Sequence, residues 1–358
     1  MECWELMPKI ELHAHLNGSV RNSTLLELAG ELGKRGTVVF PDVENVILKN
    51  DRSLREVFKM FDLIHVVTTD HKTVTRITKE VIEDFASENV VYLELRTTPK
   101  RNDSKGMSKR SYMEAVLEGV RAVSMVEVDL SRELFAETPA VNETYNMTGR
   151  KKIFVRFLLS IDRRETTEAA METVNLALEM RRFGIVGIDL SGNPFVGEWS
   201  TFLPALEFAK LQGLSITLHC GEVPNTEEIL AMLDFLPRRI GHACCFEDEE
   251  WEKLKSSKIP VEICLTSNIK TESISSLDVH HFAELYKANH PLILCTDDVG
   301  VFSTSLSAEY AVASSTFGLG KREMFQLARK AINFVFAGDE VKQKLEEIFA
   351  SAARELDL

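Results

Sequence analysis

The residues best equipped for chemistry are four histidines and a pair of aspartates at the ends of apolar runs. His13-Ala-His15 lies in the run Lys9–Leu16, and His219-Cys-Gly-Glu222 ends Ser215–Glu222. His242 follows Gly241 within Arg239–Ala243, and Thr296-Asp297-Asp298 ends Leu292–Asp298. An H-x-H pair on a strand puts both imidazoles on one face, because side chains alternate with period two. A lone strand-end histidine is ordinarily structural, and an Asp-Asp pair is ordinarily a turn. Four separate runs contributing metal-competent groups at the same end outweigh those readings. Three imidazoles and one carboxylate are good ligands for Zn²⁺, which can hold a water as well.

These groups must be positioned by the elements that carry them. Eight compact, β-branched runs recur: Lys9–Leu16, Val90–Thr98, Phe154–Asp162, Ile185–Ser191, Ser215–Glu222, Arg239–Ala243, Val261–Ser267 and Leu292–Asp298. Runs this apolar, without strict alternation, suit parallel strands covered on both faces. Amphipathic stretches separate them: Thr166–Phe183, Trp199–Leu211, Glu227–Phe235, Asp248–Ser256, Leu277–Ala288 and Lys321–Ala337. Strand–helix alternation repeated eight times predicts an α/β fold, a (β/α)8 TIM barrel, with active residues at the C-terminal strand ends. No G-x-G-x-x-G opens a helix, so the dinucleotide-binding alternative lacks its fingerprint. The whole chain, 1–358, reads as a single domain. Residues 17–89 form a helical lid insertion after the first strand, and Leu130–Lys152 is a polar surface loop.

Composition sets the class. The 358 residues are 44% hydrophobic and 27% charged, as in a globular protein with a sizeable core. A net charge of −13 argues against a nucleic-acid binder, which needs a basic face. None of the six cysteines forms a C-x-x-C pair, which argues against a cysteine-built zinc site. The N-terminus has no signal-peptide pattern, and no apolar run approaches the roughly 18 residues of a membrane span. A cytosolic (cytoplasmic) monomer with no membrane partner is expected.

Met7–Ser19, Ser191-Gly-Asn193, His219-Cys-Gly-Glu222, Arg239-Ile-Gly-His242, Leu265-Thr-Ser-Asn268 and Cys295-Thr-Asp-Asp298 together resemble the adenosine deaminase family. They occur in the family's order over about residues 7 to 337. Glu94–Lys100, Asp162-Arg-Arg164 and Asn17 resemble the adenosine deaminase-like branch, the N6-methyl-AMP deaminases, and its plant members in particular. The resemblance implies one zinc per chain, held by His13, His15, His219 and Asp297. It implies that Glu222 donates a proton to purine N1, that His242 orients the attacking water, and that Asp298 and the Gly192 backbone contact N7 and N3. The fourth run, Ile185–Ser191, has no lysine to bridge a second metal, which favours a single ion on independent grounds.

A purine nucleoside monophosphate needs polar or cationic groups at the barrel mouth. Thr97, Thr98 and Lys100 follow the second strand, and Arg163 and Arg164 follow the third. Leu54, Phe58, Phe61 and His65 share one helical stripe, which reads either as packing on the barrel or as a lid carrying His65 to the substrate. His15 and the uncharged Asn17 point into the same mouth. The expected reaction is conversion of N6-methyl-AMP to IMP and methylamine. An adenosine or AMP deaminase is the alternative, and a catalytically silent nucleotide-binding barrel would lack a ligand or Glu222.

Overall fold

The computed structural model describes residues 3–34, 44, 47, 54–130 and 151–358. Among the described residues nine strands are formed: β1 Lys9–His15, β2 Val90–Thr97, β3 Glu127–Asp129, β4 Lys152–Asp162, β5 Ile185–Ser191, β6 Ser215–Cys220, β7 Arg239–His242, β8 Val261–Ile263 and β9 Leu292–Leu294. Eight run side by side in the order β1-β2-β4-β5-β6-β7-β8-β9, and β3 pairs with β4 outside that path. Every strand pairing is parallel. The ring closes between the ends of β1 and β9, where Asp297 N donates to His13 O at 2.7 Å and His15 N donates to Asp297 O at 3.0 Å. The architecture is the predicted barrel.

The strands are buried almost throughout, with helices covering their outer faces. The helix Thr167–Glu179 buries Ala170, Val174 and Ala177. Fully buried Val155, Phe157, Leu159 and Ile161 alternate along β4 with period two, on the same face of the strand. The interior differs from the branched aliphatic layers usual in such barrels. Glu11, Glu94, Arg96, Asp189, Arg239 and Glu262 are fully buried there.

Six of the eight strands stop short of their apolar runs, four by one or two residues and two by four. β8 stops at Ile263, and Leu265–Lys270 turns into a helix, because Thr266, Ser267 and Asn268 favour turns and caps over ladder positions. β9 stops at Leu294, and Asp297 takes a left-handed φ of 66°, which ends the strand. Trp199–Leu211 forms as predicted, whereas Lys321–Ala337 divides into Lys321–Lys330 and a 3-10 turn over Ala331–Phe334. Within 17–89, helices span Asn22–Lys34, Leu54–Val67 and His71–Ser87. Residues 131–150 of the predicted surface loop, and the side chains of Leu54 and Phe58 in the predicted stripe, lie outside the described residues. Among the described residues, no helix is long and apolar enough to cross a membrane.

Candidate active site

Each predicted metal-competent residue sits where a strand releases the chain at one end of the barrel. His15 Nε2 lies 3.1 Å from His219 Nε2 and 3.4 Å from Asp297 Oδ1, and His13 Nε2 lies 3.5 Å from the same oxygen. The ligand atoms of His13, His15, His219 and Asp297 all fall within 4.8 Å of one another. Donors bound about 2.1 Å from one tetrahedral ion would stand roughly 3.4 Å apart, which matches these separations. His13 Nε2 is buried without a hydrogen-bond partner, as a nitrogen awaiting a ligand would be. A second grouping, His13, His242, Cys264 and Asp297, overlaps the first. There burial holds the Cys264 thiol well above its usual range, so the imidazole-rich set is the better donor.

The buried charges beneath the cluster fix its geometry. Glu262 Oε2 accepts from His13 Nδ1 at 2.6 Å, and Asp189 Oδ1 accepts from His219 Nδ1 at 3.0 Å. Both contacts place the ring proton on Nδ1 and leave Nε2 a lone pair aimed at the cluster. Arg96 ties the two acids together, donating to Asp189 at 3.1 Å and to Glu262 at 2.9 Å. Arg239 then links Glu262 to Glu94, each at 2.6 Å. Ser267 Oγ donates to Asp297 Oδ2 at 2.6 Å, which turns Oδ1 toward His13 and His15. Asp189, Glu262 and Glu94 thus face two guanidiniums, whereas the Asp297 carboxylate faces the rings of His13, His15 and His242, where a divalent ion would meet it. Desolvation works against charged Asp189 and Glu262, yet the neighbouring cations outweigh it and hold both far below the usual carboxylate range.

The cluster opens into a cleft of about 860 Å³ including its mouth. Its walls include His15, Asn17, His65, Thr97, Thr98, Gly192, His219, Glu222, His242, Asp297 and Asp298. Desolvation lifts the Glu222 carboxyl above its usual range. Desolvation and then the Asp297 charge push Asp298 up strongly, and its buried Oδ1 has no partner. Burial holds the His242 ring neutral against the pull of Asp297. Gly18 makes room for Asp298, since a Cβ at Gly18 would sit 1.6 Å from Asp298 Oδ1. Gly192 has a φ of 101°, in the region that favours glycine.

The mouth groups are placed unequally. Lys100 does not line the cleft. It stands at the adjoining rim with His65 and Arg164, where its ammonium donates to Thr68 Oγ1 at 2.9 Å. Lys100 is half-buried by surface, yet it is packed deeply enough that desolvation and the Arg164 charge bring its pKa down to about 7. Burial also holds His65 neutral, with a pKa of about 3. Thr97 is buried, with its hydroxyl 2.7 Å from the Tyr112 hydroxyl. Arg163 departs from expectation. It turns away from the mouth, pairing with Glu228 at 2.8 Å and capping the Val196 and Gly197 carbonyls. Arg164 does line the cleft, held by Asp162 at 2.7 Å and Asp62 at 3.3 Å.

The buried partners Asp189, Glu262 and Arg239, and the orienting hydroxyl of Ser267, carry no sequence prediction. A signal exists in hindsight. Glu11, Asp189 and Arg239 are charged residues inside apolar strands, and Glu11 shares parity with His13.

The comparisons agree with this geometry. The adenosine deaminase family profile matches residues 8–351. An Arabidopsis thaliana N6-mAMP deaminase is 70% identical over 355 residues, 99% of each chain. A human N6-methyl-AMP deaminase is 38% identical over 352 residues, 95% of this chain and 92% of the other. The crystal structure of Arabidopsis ADAL complexed with IMP superposes with a TM-score of 0.93 at 70% identity, covering 99% of each chain. With its histidine–aspartate cluster at the mouth of an eight-stranded parallel barrel, the chain belongs to the adenosine deaminase family.

Proposed function

We propose that the protein is a zinc-dependent N6-methyl-AMP deaminase, adding water at C6 of the purine and releasing IMP and methylamine. The observation that carries the proposal is one cleft joining the His13–His15–His219–Asp297 donor set to two desolvated acids, Glu222 and Asp298. The curated relatives named for this reaction support the substrate.

His13, His15, His219 and Asp297 would hold one zinc ion. When bound, zinc supplies water activation, lowering the pKa of a ligated water from about 16 toward about 7. Burial disfavours the Glu222 carboxylate and favours its protonated form, which suits it to serve as the donor to purine N1 as C6 becomes tetrahedral. Asp298, whose protonated form is favoured by burial and by Asp297, would offer a donor to N7, and the Gly192 backbone would meet N3. Neutral His242 orients the attacking water.

Asn17, His65, Thr97, Thr98 and Lys100 form the ribose-phosphate end, with Arg164 beside them. Lys100 meets no carboxylate within 4.0 Å among the described residues, Asp162 acting on it only from farther off, so a phosphate would supply a close counter-charge. The insertion 17–89 acts as the lid, bringing Phe61 and His65 over the cleft. We place the enzyme in the cytosol as a monomer.

Glu222→Gln tests the assignment. The variant should bind zinc as before and lose turnover, by about 100-fold or more. Turnover within a few-fold of the parent would remove Glu222 from the role.

A further inference from the structure

His242 presents one ring nitrogen to the site, with Nε2 3.9 Å from Asp297 Oδ2. Its other nitrogen, Nδ1, lies 3.2 Å from the side-chain nitrogen of Asn268. Asn268 Oδ1 in turn stands 3.2 Å from His280 Nε2. His280 Nδ1 lies 3.0 Å from the backbone nitrogen of Phe282. All three side chains are buried, at 3% exposure or less.

A backbone N–H can only donate, and that fact sets the direction of the whole chain. Phe282 N–H donates, so His280 Nδ1 must accept and the ring proton resides on Nε2. His280 Nε2–H therefore donates to Asn268 Oδ1, which fixes the amide with its NH2 toward His242. The Asn268 NH2 donates to His242 Nδ1, so that nitrogen carries the lone pair. The remaining proton of His242 sits on Nε2, aimed into the site. Burial keeps His280 neutral, with a pKa of about 3, so its ring carries a single proton. A further donor holds the backbone of the same residue, since His281 Nε2 lies 2.9 Å from His242 O.

We infer that Phe282 N–H, His280 and Asn268 form a hydrogen-bond relay that locks His242 in its Nε2–H tautomer, making Asn268 and His280 positioning residues for the reaction. The inference rests on the role assigned to His242 above. A neutral histidine presents either a donor or an acceptor to a water molecule, and the relay decides which. It commits His242 to donating a hydrogen bond, so the attacking water keeps its lone pair for C6 only when its own protons are handled elsewhere.

Asn268→Asp separates the relay from plain packing. A carboxylate of the same shape accepts from His280 Nε2–H as before, so the upstream contact survives. It also accepts from His242, which draws the ring proton to Nδ1 and leaves a lone pair on Nε2. Zinc-loaded enzyme labelled with 15N-histidine would be examined by long-range 1H–15N correlation, with His242 assigned by its absence from His242→Gln. The expected result is exchange of the two nitrogen signals of His242 in Asn268→Asp, with kcat down roughly 100-fold and KM little changed. His280→Leu, which frees the Asn268 amide to rotate, should give a mixed tautomer. A His242 proton that stays on Nε2 in both variants overturns the relay. Exchanged signals with unchanged kcat uphold the relay and overturn the role of His242 in the proposed reaction.

Discussion

Asp189 accepts from three donors, and their arrangement makes Asp189→Asn an informative change. Oδ1 receives His219 Nδ1 at 3.0 Å and Arg96 Nη1 at 3.1 Å, while Oδ2 receives only the Ser160 hydroxyl at 2.9 Å. An asparagine can keep its oxygen toward His219 and Arg96 and donate its NH2 to Ser160 Oγ, since a hydroxyl also accepts. Every contact then survives and only the charge is lost. Arg96 retains Glu262 at 2.9 Å, so the guanidinium is not stranded and the barrel should fold. The contact to Arg96 is present with and without metal and cancels from the binding equilibrium. What remains is the hydrogen bond that strengthens His219 as a ligand. Hydrogen bonds to charged groups contribute about 1.5–3 kcal/mol, against about 0.5–1.5 for neutral ones, so the loss is on the order of 1–2 kcal/mol. Zinc affinity should fall roughly 5- to 30-fold, overlapping the usual range for partners behind a metal ligand. A competition titration against a fluorescent zinc chelator reads this directly, with thermal unfolding as the control for fold. A folded Asp189→Asn variant with parental zinc affinity would refute the claim that the buried acids tune the ligand set.

Other consequences follow from the same geometry. Gly18→Ala would drive a methyl into Asp298 Oδ1, costing about 1–3 kcal/mol of local strain and lowering kcat/KM by roughly 10-fold or more, to be read by steady-state kinetics on the nucleotide. Lys100, with its pKa near 7, is charged at pH 6 and increasingly neutral above pH 7, so nucleotide binding must draw in a proton at high pH. KM for the nucleotide should therefore rise as pH increases from 7 to 9, and Lys100→Arg should flatten that rise. A parental profile in Lys100→Arg would remove Lys100 from phosphate recognition. Dialysis against a strong chelator should abolish turnover and lower the melting temperature, because the ion would tie His13 and His15 to His219 and Asp297 in the folded state alone, and zinc should restore both.

Much of this was legible in the chain because barrels concentrate function where strands end. The H-x-H of β1, the histidines of β6 and β7 and the aspartates after β9 could be found from parity and position alone. Less was legible where local pattern and tertiary context disagree. The run Val261–Ser267 reads as a strand by hydrophobicity, yet Thr266–Asn268 turn into the helix that aims Asp297 and His242. Arg163 and Arg164 are indistinguishable by type, and only the position of Glu228 decides that Arg163 faces away from the mouth. The charged floor of the barrel was the largest omission. Its members are far apart in sequence, Arg96 from Glu262 by 166 positions, and their pairing exists only once the barrel closes.

The reaction itself is read by amine release from N6-methyl-AMP, AMP and adenosine by the purified protein, with zinc quantified in the same sample. Methylamine and IMP should form from N6-methyl-AMP, with about one zinc per chain and far slower turnover of AMP and adenosine. Release of ammonia from adenosine with no turnover of N6-methyl-AMP would contradict the proposed reaction.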